Sequence, residues 1–483
     1  MRTIPTFWFE PRPWVEGRWQ PTAESFAVDD PATGRRLTDV GRADAALIGR
    51  ACDAAARCLP AWSGTSPFAR GAVLTRCAAL LAARRDELSR LITAEQGKTV
   101  AQAAAEVDYA ASFFQWFGEE ARRVHGRIAA HPDADREFVI ERRPAGVAGL
   151  VTPWNFPLAQ AAKKIAAALA AGCTAVWKPA EATPLIALGV VPILLEAGMP
   201  PERGSEVGGV LAAHPAVRVL SLTGSTATGR SLMAAAAAGI KRVSLELGGN
   251  APFIVLPDAD PDVVAEQLFR LKLFVSGQVC VTANRVFVPA ALEGRLVAAL
   301  ADRLTAARVG NGLADGIDAG PLIHARACGE VAGLVRDAVA DGAEIVGENR
   351  GYEADPTLRD GSFFPPTLLR GVTDGMRIAR EEIFGPVIPL LRYEQVADAV
   401  TRANATPSGL AGYVYGHDLA ACRAVASALE VGIVGVNEWR PLKAEIPFGG
   451  VKESGIGAEG GEEGIAEFLE TRVISLPRPP MPA

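Results

Sequence analysis

The sequence predicts an α/β protein with a doubly wound parallel sheet. Between residues 145 and 249, short apolar segments alternate with Ala-rich segments of helical length. Each of the three helical segments ends at a glycine, and two of them carry a proline in the first turn, as helices commonly do. Strands that alternate with helices form parallel sheets covered on both faces. Ligands of such sheets bind beyond the carboxyl ends of the strands.

The predicted elements follow in order along this region. Four strands are expected at residues 145–153, 174–180, 217–224 and 241–249, and three helices at 157–172, 183–198 and 225–239. Thr183 is expected to cap the second helix, because it precedes Pro184. Residues 44–124 carry apolar residues at helical spacing, residues 136–144 resemble a strand, and a second alternating region runs from 250 to about 447.

The composition argues against several classes of protein. The net charge is −6 over 483 residues and no basic block occurs, so nucleic acid is not an expected partner. No apolar run approaches the roughly 18 residues of a membrane span, and the first residues lack the layout of a signal peptide. The seven cysteines include no CxxC pair, and the five histidines form no cluster. A cytoplasmic protein with reduced thiols and no metal site is therefore expected.

Two polar residues at strand ends suit catalysis. Asn155 follows the first strand, where its amide could donate a hydrogen bond to a developing oxyanion; an Asx cap that closes the turn is the alternative. Glu246 ends the fourth strand between two leucines. A carboxylate in an apolar setting has a raised pKa and suits a general base, whereas an ordinary surface ion pair is the alternative.

Two further segments at strand ends suit a dinucleotide. Lys178 and Glu181 could both reach the ribose hydroxyls of an adenosine, where a carboxylate would repel a 2′-phosphate; a solvated Lys/Glu pair is the alternative. Gly224 and Ser225 open "GSTATGRS", a glycine turn before a helix that suits a pyrophosphate. The same segment superficially matches a P-loop, but Arg230 stands where the lysine should be, and a plain strand-to-helix turn is the alternative.

The candidate nucleophile is Cys280, in "SGQVCVTANR". Most lone cysteines are core residues. Here Gly277, Gln278 and Thr282 suggest instead a backbone turn that presents the thiol.

Together and in this order, the motifs resemble the aldehyde dehydrogenase superfamily. Besides the residues above, "EEIFGP" (381–386), "PFGGVKESGIG" (447–457) and "DPATG" (30–34) match. The resemblance runs from about residue 14 to 476, and the succinate-semialdehyde dehydrogenase-like branch is the most similar.

The resemblance implies a fold of three parts, in which a doubly wound cofactor-binding sheet is joined by a second α/β catalytic domain and a β oligomerisation arm. The NAD-binding domain would comprise residues 1–124 and 145–247, and the catalytic domain residues 248–447. The arm would comprise residues 125–144 and 464–483 and would pair subunits into a homodimer or homotetramer.

The resemblance also implies the roles of the site residues. Cys280 would attack the aldehyde carbon, Asn155 would hold the oxyanion, and Glu246 would activate the water that hydrolyses the thioester. The cofactor would be NAD, with NADP possible. Its expected contacts are Trp154, Asn155, Lys178, Pro179, Ala180, Glu181, Gly224, Ser225, Leu247, Glu382 and Phe384.

The expected substrate contacts depart from those of the most similar branch. That branch grips a substrate carboxylate with two arginines, and this chain has Lys163 and Phe274 at those positions, so that only Ser454 of the usual clamp remains. Loss of a bidentate guanidinium argues against an aliphatic dicarboxylic semialdehyde.

Two kinds of substrate therefore stay open, a semialdehyde and an apolar or aromatic aldehyde. Aromatic side chains expected near the nucleophile favour the apolar aldehyde; they are Phe156, Phe274, Trp116 and Phe448. Arg440 and Lys443, near the expected substrate entrance, could restore anion recognition, although a solvated loop is the alternative.

A strand that the family has after Gly198 finds no counterpart in "MPPERGSE", residues 199–206, which is too short and too polar. Weakened NAD affinity is expected from its absence. Two other functions also stay open. A CoA-acylating relative would generally lack Glu246, and a non-catalytic structural relative would be expected to lose Cys280 or Glu246, yet both residues are present.

Overall fold

The computed structural model describes residues 7–199 and 211–478. The first part of the chain contains two small hairpins and four helices that pack against one another. These elements are β1 (Trp14–Val15), β2 (Arg18–Trp19), β3 (Glu24–Asp29), β4 (Arg36–Arg42), α1 (Ala45–Ser63), α2 (Pro67–Ala83), α3 (Arg85–Gln96) and α4 (Val100–Glu120). The helical prediction for residues 44–124 is confirmed.

The next part alternates between strands and helices, as predicted. Its elements are β5 (Arg127–Ala130), β6 (Arg136–Pro144), β7 (Val147–Val151), α5 (Ala159–Ala171), β8 (Thr174–Lys178), α6 (Pro184–Glu196), β9 (Val217–Thr223), α7 (Thr226–Ala237) and β10 (Arg242–Glu246). All four strands and all three helices predicted between residues 145 and 249 are present, with ends that differ by a few residues.

The remaining elements build a second sheet and return to the first. They are β11 (Ala251–Val255), α8 (Pro261–Leu273), β12 (Ala283–Pro289), α9 (Ala290–Ala306), α10 (Ala325–Ala340), β13 (Glu344–Glu348), β14 (Thr367–Arg370), α11 (Arg377–Arg380), β15 (Val387–Tyr393), α12 (Val396–Asn404), β16 (Ser408–Gly409), β17 (Ala411–Tyr415), α13 (Leu419–Ala428), β18 (Ile433–Val436), β19 (Val451–Lys452), β20 (Gly455–Ile456), α14 (Gly461–Ala466) and β21 (Leu469–Pro477). Short 3-10 turns occur at Ala121–Arg123, Phe274–Gly277, Gly351–Ala354 and Pro356–Leu358.

The first large sheet has the strand order β20-β10-β9-β7-β8. Strands β7, β8, β9 and β10 run parallel, and β20 joins β10 antiparallel. The chain passes from β7 to β8 on one side and then to β9 on the other, so the sheet has a topological switch point between β7 and β9. A crevice for a ligand forms at the carboxyl ends of the two strands that flank such a point.

The second large sheet has the order β13-β14-β15-β12-β11-β17-β18 and is parallel except for β13. Apolar side chains cover both of its faces, as the near-continuous apolar runs of its strands require. Parallel strands start at one edge of their sheet. The residues that precede β11, β12 and β15 therefore meet there, which brings Gly249, Cys280 and Glu382 to one edge.

A three-stranded antiparallel sheet, β21-β6-β5, joins the predicted arm to the end of the chain. Strand β6 pairs with β21 over nine residues, from Leu469 opposite Pro144 to Pro477 opposite Arg136. The strand predicted at residues 136–144 is confirmed. The division of the chain into three parts at the bounds given above stays a prediction.

Buried glutamates on other helices accept hydrogen bonds from the backbone N–H groups at the starts of α5 and α6. Thr183 precedes α6 as predicted, but its hydroxyl makes no capping hydrogen bond. The carboxylate of Glu95 accepts instead from the backbone N–H groups of Leu185 and Ile186, both at 2.8 Å. Helix α5 is capped in the same way by Glu106. A sequence-local rule misses such caps, because the acceptor lies about 50 to 90 residues away.

The prediction that a family strand is missing falls on residues that include 200–206, which lie outside the described residues. Within the ranges that are described, none of the helices combines the length and apolar character needed to cross a membrane.

Candidate active site

Cys280 lies at the wall of a partly open cavity of about 50 Å³. The walls are mainly apolar and aromatic. The lining residues are Tyr109, Phe156, Ala159, Gln160, Lys163, Leu271, Phe274, Val279, Cys280, Val281, Tyr413, Trp439, Arg440, Pro441, Leu442 and Phe448. Four of the five predicted substrate residues, all except Ser454, are therefore part of one cavity with the predicted nucleophile.

The backbone before Cys280 adopts an unusual conformation. Val275, Ser276 and Gly277 have consecutive positive φ values of 51°, 53° and 74°. Such values are strained for a β-branched residue and persist only where the surroundings impose them. A Cβ atom on Gly277 would lie 2.2 Å from the carbonyl oxygen of Gly385, so only glycine fits this position. The glycine in "SGQVC" lets the thiol segment pass against the "EEIFGP" segment.

Asn155 joins the loop after β7 to the thiol segment. Its side chain is 4% exposed, and Nδ2 donates to the carbonyl oxygen of Gln278 at 3.0 Å. Its Oδ1 accepts from the backbone N–H of Phe156 at 3.1 Å. Both hydrogen bonds fix the orientation of the amide group. Asn155 is not among the residues that line the cavity, and its role as an oxyanion donor stays a prediction.

Glu246 is buried without a hydrogen bond. The residue is 1% exposed, and neither carboxylate oxygen has a hydrogen-bond partner among the described residues. Burial, and next the charge of Glu459, raise the pKa of Glu246 well above its usual value, although Lys164 and Lys163 oppose the shift. A surface ion pair is excluded by this burial. A buried carboxyl with a raised pKa and free lone pairs is suited to take a proton.

A buried charge cluster surrounds Glu246. The Nζ atom of Lys164 donates to Ser221 at 2.9 Å and to Glu459. Lys163 lies 3.8 Å from the second oxygen of Glu459 and 3.9 Å from the ring centroid of Phe448. Burial opposes the charge of Lys163, but Tyr109, Glu459, Cys280 and Glu246 together raise its pKa. The cluster therefore couples the predicted base to the cavity electrostatically.

The Cys280 thiol is neutral in this environment. Burial raises its pKa to about 12, and the charges of Glu382 and Glu246 add to the shift, whereas Lys163 opposes it. The sulfur is partly accessible through the cavity although protein atoms surround it. Because a thiolate is the reactive form, attack on a substrate requires a group that removes the thiol proton.

The residues at the switch point fit a dinucleotide. Ser225 caps α7 and accepts from the N–H of Thr228 at 3.2 Å, so the glycine turn is the start of a helix. Glu382 accepts from the N–H of Gly249 at 3.1 Å through one oxygen, and its second oxygen has no hydrogen-bond partner among the described residues. That free oxygen can accept from a ribose hydroxyl. Burial raises the pKa of Glu382 to about 7, against the opposing bond from Gly249.

Backbone contacts join the other predicted cofactor residues to the same edge. The Lys178 carbonyl accepts from the N–H of Thr152 at 3.1 Å, and the Leu247 N–H donates to the Ser454 carbonyl at 2.8 Å. Trp154 and Phe384 form an edge-to-face pair with centroids 5.4 Å apart, and Phe384 has a positive φ of 51°. Pro179 is buried and Ala180 half-buried beside Lys178. Their contacts with a cofactor stay a prediction.

Glu181 is exposed and has a partner that the sequence did not indicate. Its carboxylate accepts from Arg42 of β4 at 3.0 Å. The Arg42 guanidinium also lies 5.0 Å from the ring centroid of Phe26. Glu181 therefore pairs with a residue 139 positions away rather than with Lys178. The guanidinium of Arg230, at the P-loop-like segment, binds Glu453 at 2.6 Å, which supports the plain helix start.

Two residues that were expected near the substrate, Ser454 and Trp116, do not line the cavity. Ser454 is fully buried and does not line the cavity; its hydroxyl donates to the Gly248 carbonyl at 2.7 Å and accepts from the Gly409 N–H at 2.9 Å. The hydroxyl therefore both donates a hydrogen bond to the backbone and accepts one from it. Trp116 lines a separate surface pocket and donates to the Gly461 carbonyl at 3.1 Å. The Ser454 hydroxyl thus joins the "KESG" turn to the backbone at Gly248, and its contact with a substrate stays a prediction.

Several site residues were not indicated by the sequence. Lys164 and Glu459 form the ion pair near Glu246, and Lys98 with Glu106 forms another buried pair behind Asn155. The paired lysines in the Ala-rich helix α5 were a usable signal, since buried lysines need partners. The acidic partner of Lys164 lies 295 residues away in the chain, whereas that of Lys98 lies eight residues away. Trp439 also lines the cavity from a loop without regular structure.

Comparisons with known proteins agree with this geometry. Residues 19–474 match the model of the aldehyde dehydrogenase family. The glutarate-semialdehyde dehydrogenase of Pseudomonas aeruginosa PAO1 is 41% identical over 477 residues, covering 97% of this chain and 98% of that protein. The NADP(+) succinate-semialdehyde dehydrogenase of Escherichia coli K12 is 41% identical over 471 residues, covering 96% of this chain and 97% of that protein. The NAD+ complex of betaine aldehyde dehydrogenase from Staphylococcus aureus superposes with a TM-score of 0.94 at 33% identity, covering 98% of this chain and 96% of that chain.

Together with these comparisons, a helix start suited to a pyrophosphate and a cavity that holds a cysteine indicate an oxidoreductase that uses a nicotinamide cofactor. The chain belongs to the aldehyde dehydrogenase family. It is an NAD(P)-dependent aldehyde dehydrogenase.

Proposed function

We propose that this enzyme oxidises a short aldehyde with an anionic end to the carboxylic acid by a hydrolytic route. The observation that carries the hydrolytic route is Glu246, a buried carboxylate without hydrogen-bond partners whose charge raises the pKa of Cys280. A base in that environment can activate water. An acylating route through CoA does not need such a base.

The first step is the attack of Cys280 on the aldehyde carbon. The thiol proton must leave, because the pKa of about 12 keeps the sulfur protonated at neutral pH. A carboxylate of the buried cluster, with Glu246 as the candidate, is suited to accept it. The Asn155 amide, already fixed by its bond to Gln278, donates to the oxyanion of the thiohemiacetal.

The chemistry that bound NAD(P)+ would supply is acceptance of a hydride from that carbon, so Cys280 would then carry a thioester. The residues that would hold the cofactor are those at the switch point and at the "EEIFGP" segment. Glu382 would accept from a ribose hydroxyl, and the turn at Gly224 and Ser225 would face the pyrophosphate. After it has released the thiol proton to solvent, Glu246 takes a proton from water as the water attacks the thioester. It returns that proton to the departing thiolate, so the acid leaves with the thiol restored.

The proposal that the substrate has an anionic end rests on Arg440. The residue lines the cavity with its guanidinium 5.0 Å from the Phe274 ring centroid, and it forms no hydrogen bond or ion pair within the described ranges. Burial lowers the pKa of this guanidinium, which shows that water solvates it poorly. A half-buried cation without a counter-ion is costly, so an incoming carboxylate would gain a desolvated partner. Lys443, its neighbour in the loop, is exposed and does not line the cavity.

The size of the cavity favours a short substrate. Its volume of about 50 Å³ corresponds to roughly four buried water molecules. The names of the curated relatives, glutarate- and succinate-semialdehyde dehydrogenase, point to slender aldehydes that end in a carboxylate. The aromatic walls at Phe156, Phe274 and Phe448 favour the second candidate, an apolar or aromatic aldehyde.

A panel of aldehydes distinguishes these substrates. Formation of reduced nicotinamide would be followed by absorbance with succinate semialdehyde, glutarate semialdehyde, pentanal and benzaldehyde, each with and without CoA. We expect a semialdehyde to have the highest kcat/KM and CoA to have no effect. Higher kcat/KM for pentanal or benzaldehyde would reject the anionic substrate, and turnover that depends on CoA would reject hydrolysis.

The role of Arg440 is tested with a matched pair of variants. Arg440→Gln should raise KM for the semialdehyde about 10–100-fold, the range expected for a lost charge-assisted hydrogen bond. The KM for pentanal should stay unchanged, because pentanal has no anion to bind. Lys443→Gln, an exposed neighbour, should leave both values near those of the wild type. Equal effects of the two variants on KM for the semialdehyde would show that Arg440 does not recognise the substrate.

An oligomer is proposed from the three-stranded sheet. Ile128 and Leu476 are 70% and 39% exposed, and the register of the sheet places them on one face. Exposed apolar residues on a flat sheet mark an interaction site. Light scattering after gel filtration should give a dimer or tetramer, and Ile128→Glu should lower the mass. A monomeric wild type would contradict this proposal.

A further inference from the structure

Three polar side chains at four-residue spacing connect the start of α4 to the candidate active site. They belong to Lys98, just before the helix, and to Gln102 and Glu106 in its first two turns. Residues four apart lie on one face of a helix. The mechanism proposed above uses none of them.

Lys98 holds the main chain at Asn155. Its side chain is fully buried, and Nζ donates to the backbone carbonyl of Asn155 at 2.6 Å. The same atom donates to Glu106 at 2.5 Å and lies 4.1 Å from the ring centroid of Phe156. Burial lowers the pKa of Lys98, and Glu106 opposes the shift. The ammonium group therefore contacts both the candidate oxyanion donor and a wall of the substrate cavity.

Glu106 holds the other end of the same loop. Its Oε1 accepts from the N–H groups of Leu158 and Ala159 at 2.9 and 3.1 Å, while Oε2 accepts from Lys98. Leu158, which starts α5, has no side-chain cap of its own. Together Lys98 and Glu106 grip the loop after β7 on both sides of Phe156.

Gln102 holds the segment that leads to the nucleophile. Its Oε1 accepts from the N–H of Val275 at 3.2 Å, and Nε2 donates to the carbonyl of Leu273 at 3.4 Å. Val275 begins the run of three positive φ values before Cys280. Strained backbone of this kind persists only where neighbours impose it, and Gln102 is one such neighbour.

Stability alone does not explain the buried ion pair. Replacing a buried pair with apolar side chains of similar volume is often neutral or stabilising. The hydrogen bonds of Lys98 and Glu106 end instead at the loop of Asn155. Two hydrogen bonds of the Gln102 side chain end at the segment that leads to Cys280, and a third ends at the Asp318 carbonyl at 3.3 Å. Asn155 itself donates to the carbonyl of Gln278, two residues before Cys280. The three side chains therefore hold both the loop that carries Asn155 and the segment that carries Cys280.

We propose that Lys98, Gln102 and Glu106 are positioning residues that set the Asn155 amide at the correct distance and angle from Cys280. They touch neither substrate nor cofactor and act through the two segments they hold. Displacement of a reacting group by about 1 Å can lower a rate about 100-fold. Their loss should therefore lower kcat more than it changes KM or cofactor affinity. The inference rests on the proposed function, since it takes Asn155 as the oxyanion donor.

The first experiment compares two Gln→Leu changes on the same helix. Gln102→Leu removes the bonds to residues 273, 275 and 318, whereas Gln115→Leu alters an exposed glutamine whose side chain hydrogen-bonds, among the described residues, with Glu119 alone. Gln102→Leu should lower kcat about 10–100-fold with KM and the NAD+ dissociation constant within about threefold of the wild type. Gln115→Leu should leave kcat unchanged. Equal kcat values for the two variants would overturn the role of Gln102.

A second readout does not depend on turnover. Alkylation of Cys280 by iodoacetamide at pH 8 would be followed by mass spectrometry of its peptide. Loosening the segment admits water to the thiol and lowers its pKa, so Gln102→Leu should raise the alkylation rate about fivefold or more. An unchanged rate would show that Gln102 does not hold the thiol segment, whether or not the enzyme oxidises the expected aldehyde.

The second experiment separates positioning from folding in the ion pair. Glu106→Gln leaves Lys98 without its counter-ion and should lower the melting temperature and kcat together. The double variant Lys98→Met/Glu106→Gln removes both charges and keeps an acceptor for Leu158 and Ala159. We expect it to regain the melting temperature but not kcat, because the Asn155 carbonyl has lost its donor. Recovery of kcat to within about twofold would assign the pair to stability alone.

Failure of the proposed function can be distinguished from failure of the positioning role. If the wild type oxidises no aldehyde, the proposed function fails, and the alkylation assay still decides whether Gln102 holds the thiol segment. If the double variant does not fold, the pair Gln102→Leu and Gln115→Leu still tests the helix face.

Discussion

Glu459 accepts a hydrogen bond from Lys164 and at the same time raises the pKa of Glu246 through its negative charge. The two carboxyl groups lie in a buried cluster with Lys163 and Lys164, at the ends of elements more than 200 residues apart in sequence. The protonation of the proposed base therefore depends on a residue that the motif around it does not contain.

The first prediction concerns the pH profile. The proposed base works only after it has lost its proton, so a raised pKa places the acid limb of kcat at higher pH. Glu459→Gln removes the negative neighbour and frees the charges of two lysines, both of which lower the pKa of Glu246. The acid limb should therefore move to lower pH, measured as kcat against pH with saturating aldehyde and cofactor. Thr226→Ser, outside the cluster, should leave the acid limb of kcat at its wild-type pH. An acid limb that does not move in Glu459→Gln would show that Glu459 does not raise the pKa of Glu246.

The second prediction concerns the glycine before the nucleophile. Gly277→Ala would place a Cβ atom 2.2 Å from the Gly385 carbonyl at a φ of +74°. We expect loss of most activity and destabilisation of about 2–4 kcal/mol. Gly329→Ala is the control, because that helical glycine has nothing within 4 Å of the new Cβ atom and should gain about 0.5–1 kcal/mol. Activity and melting temperature measure both. Wild-type behaviour of Gly277→Ala would show that this segment tolerates other backbone conformations.

The third prediction concerns the choice between NAD+ and NADP+. Arg42 neutralises Glu181, the carboxylate expected at the adenosine ribose. Glu181→Gln should tighten NADP+ binding about tenfold, since repulsion of the 2′-phosphate ends and Arg42 becomes free to pair with it. Arg42→Gln should weaken NADP+ binding and leave NAD+ binding nearly unchanged. Dissociation constants from tryptophan fluorescence would measure both. Arg36→Gln, an exposed arginine of the same hairpin, serves as the control. Identical dissociation constants for NADP+ in all three variants would show that Glu181 and Arg42 do not lie at the adenosine ribose.

The fourth prediction concerns a buried lysine outside the site. Burial lowers the pKa of Lys272 to about 7, and among the described residues its Nζ donates to the Ala283 carbonyl alone, at 3.0 Å. The unfolded chain binds this proton up to about pH 10.4, so between pH 7 and that value the unfolded state holds more protons and stability rises with pH. From pH 7 to 9 the wild type should gain roughly 2–3 kcal/mol relative to Lys272→Met. Thermal unfolding at both pH values measures the difference, and parallel pH dependences would show that Lys272 stays charged in the fold.

Much of the fold was predictable because local pattern and tertiary structure agree. The strands and helices between residues 145 and 249 follow from apolar periodicity and from glycine and proline at helix ends. Strand β20 was not predictable, since a two-residue strand carries no periodic signal and its partner β10 lies far away in the chain. The capping glutamates, Glu95 and Glu106, escaped prediction for the same reason.

The candidate site was predictable where function depends on a short motif. Cys280, Phe156, Lys163, Phe274 and Phe448 meet at one cavity, as motif order indicated. The substrate contact of Ser454 stays a prediction, because its hydroxyl binds the backbone at Gly248 and Gly409 and does not line the cavity. The burial of Glu246 could be anticipated from flanking leucines, whereas its coupling to Glu459 needed the three-dimensional structure.

Strand β20 has a consequence for biosynthesis. The edge of the first sheet at Leu245 and Glu246 is completed by Ile456 and Gly455, about 210 residues later in the chain. At about 5–20 residues per second, a ribosome needs roughly 10–40 seconds to add that stretch. During this interval the nascent chain carries an open β-edge beside its future base, which makes it a substrate for chaperones until nearly the whole polypeptide has emerged.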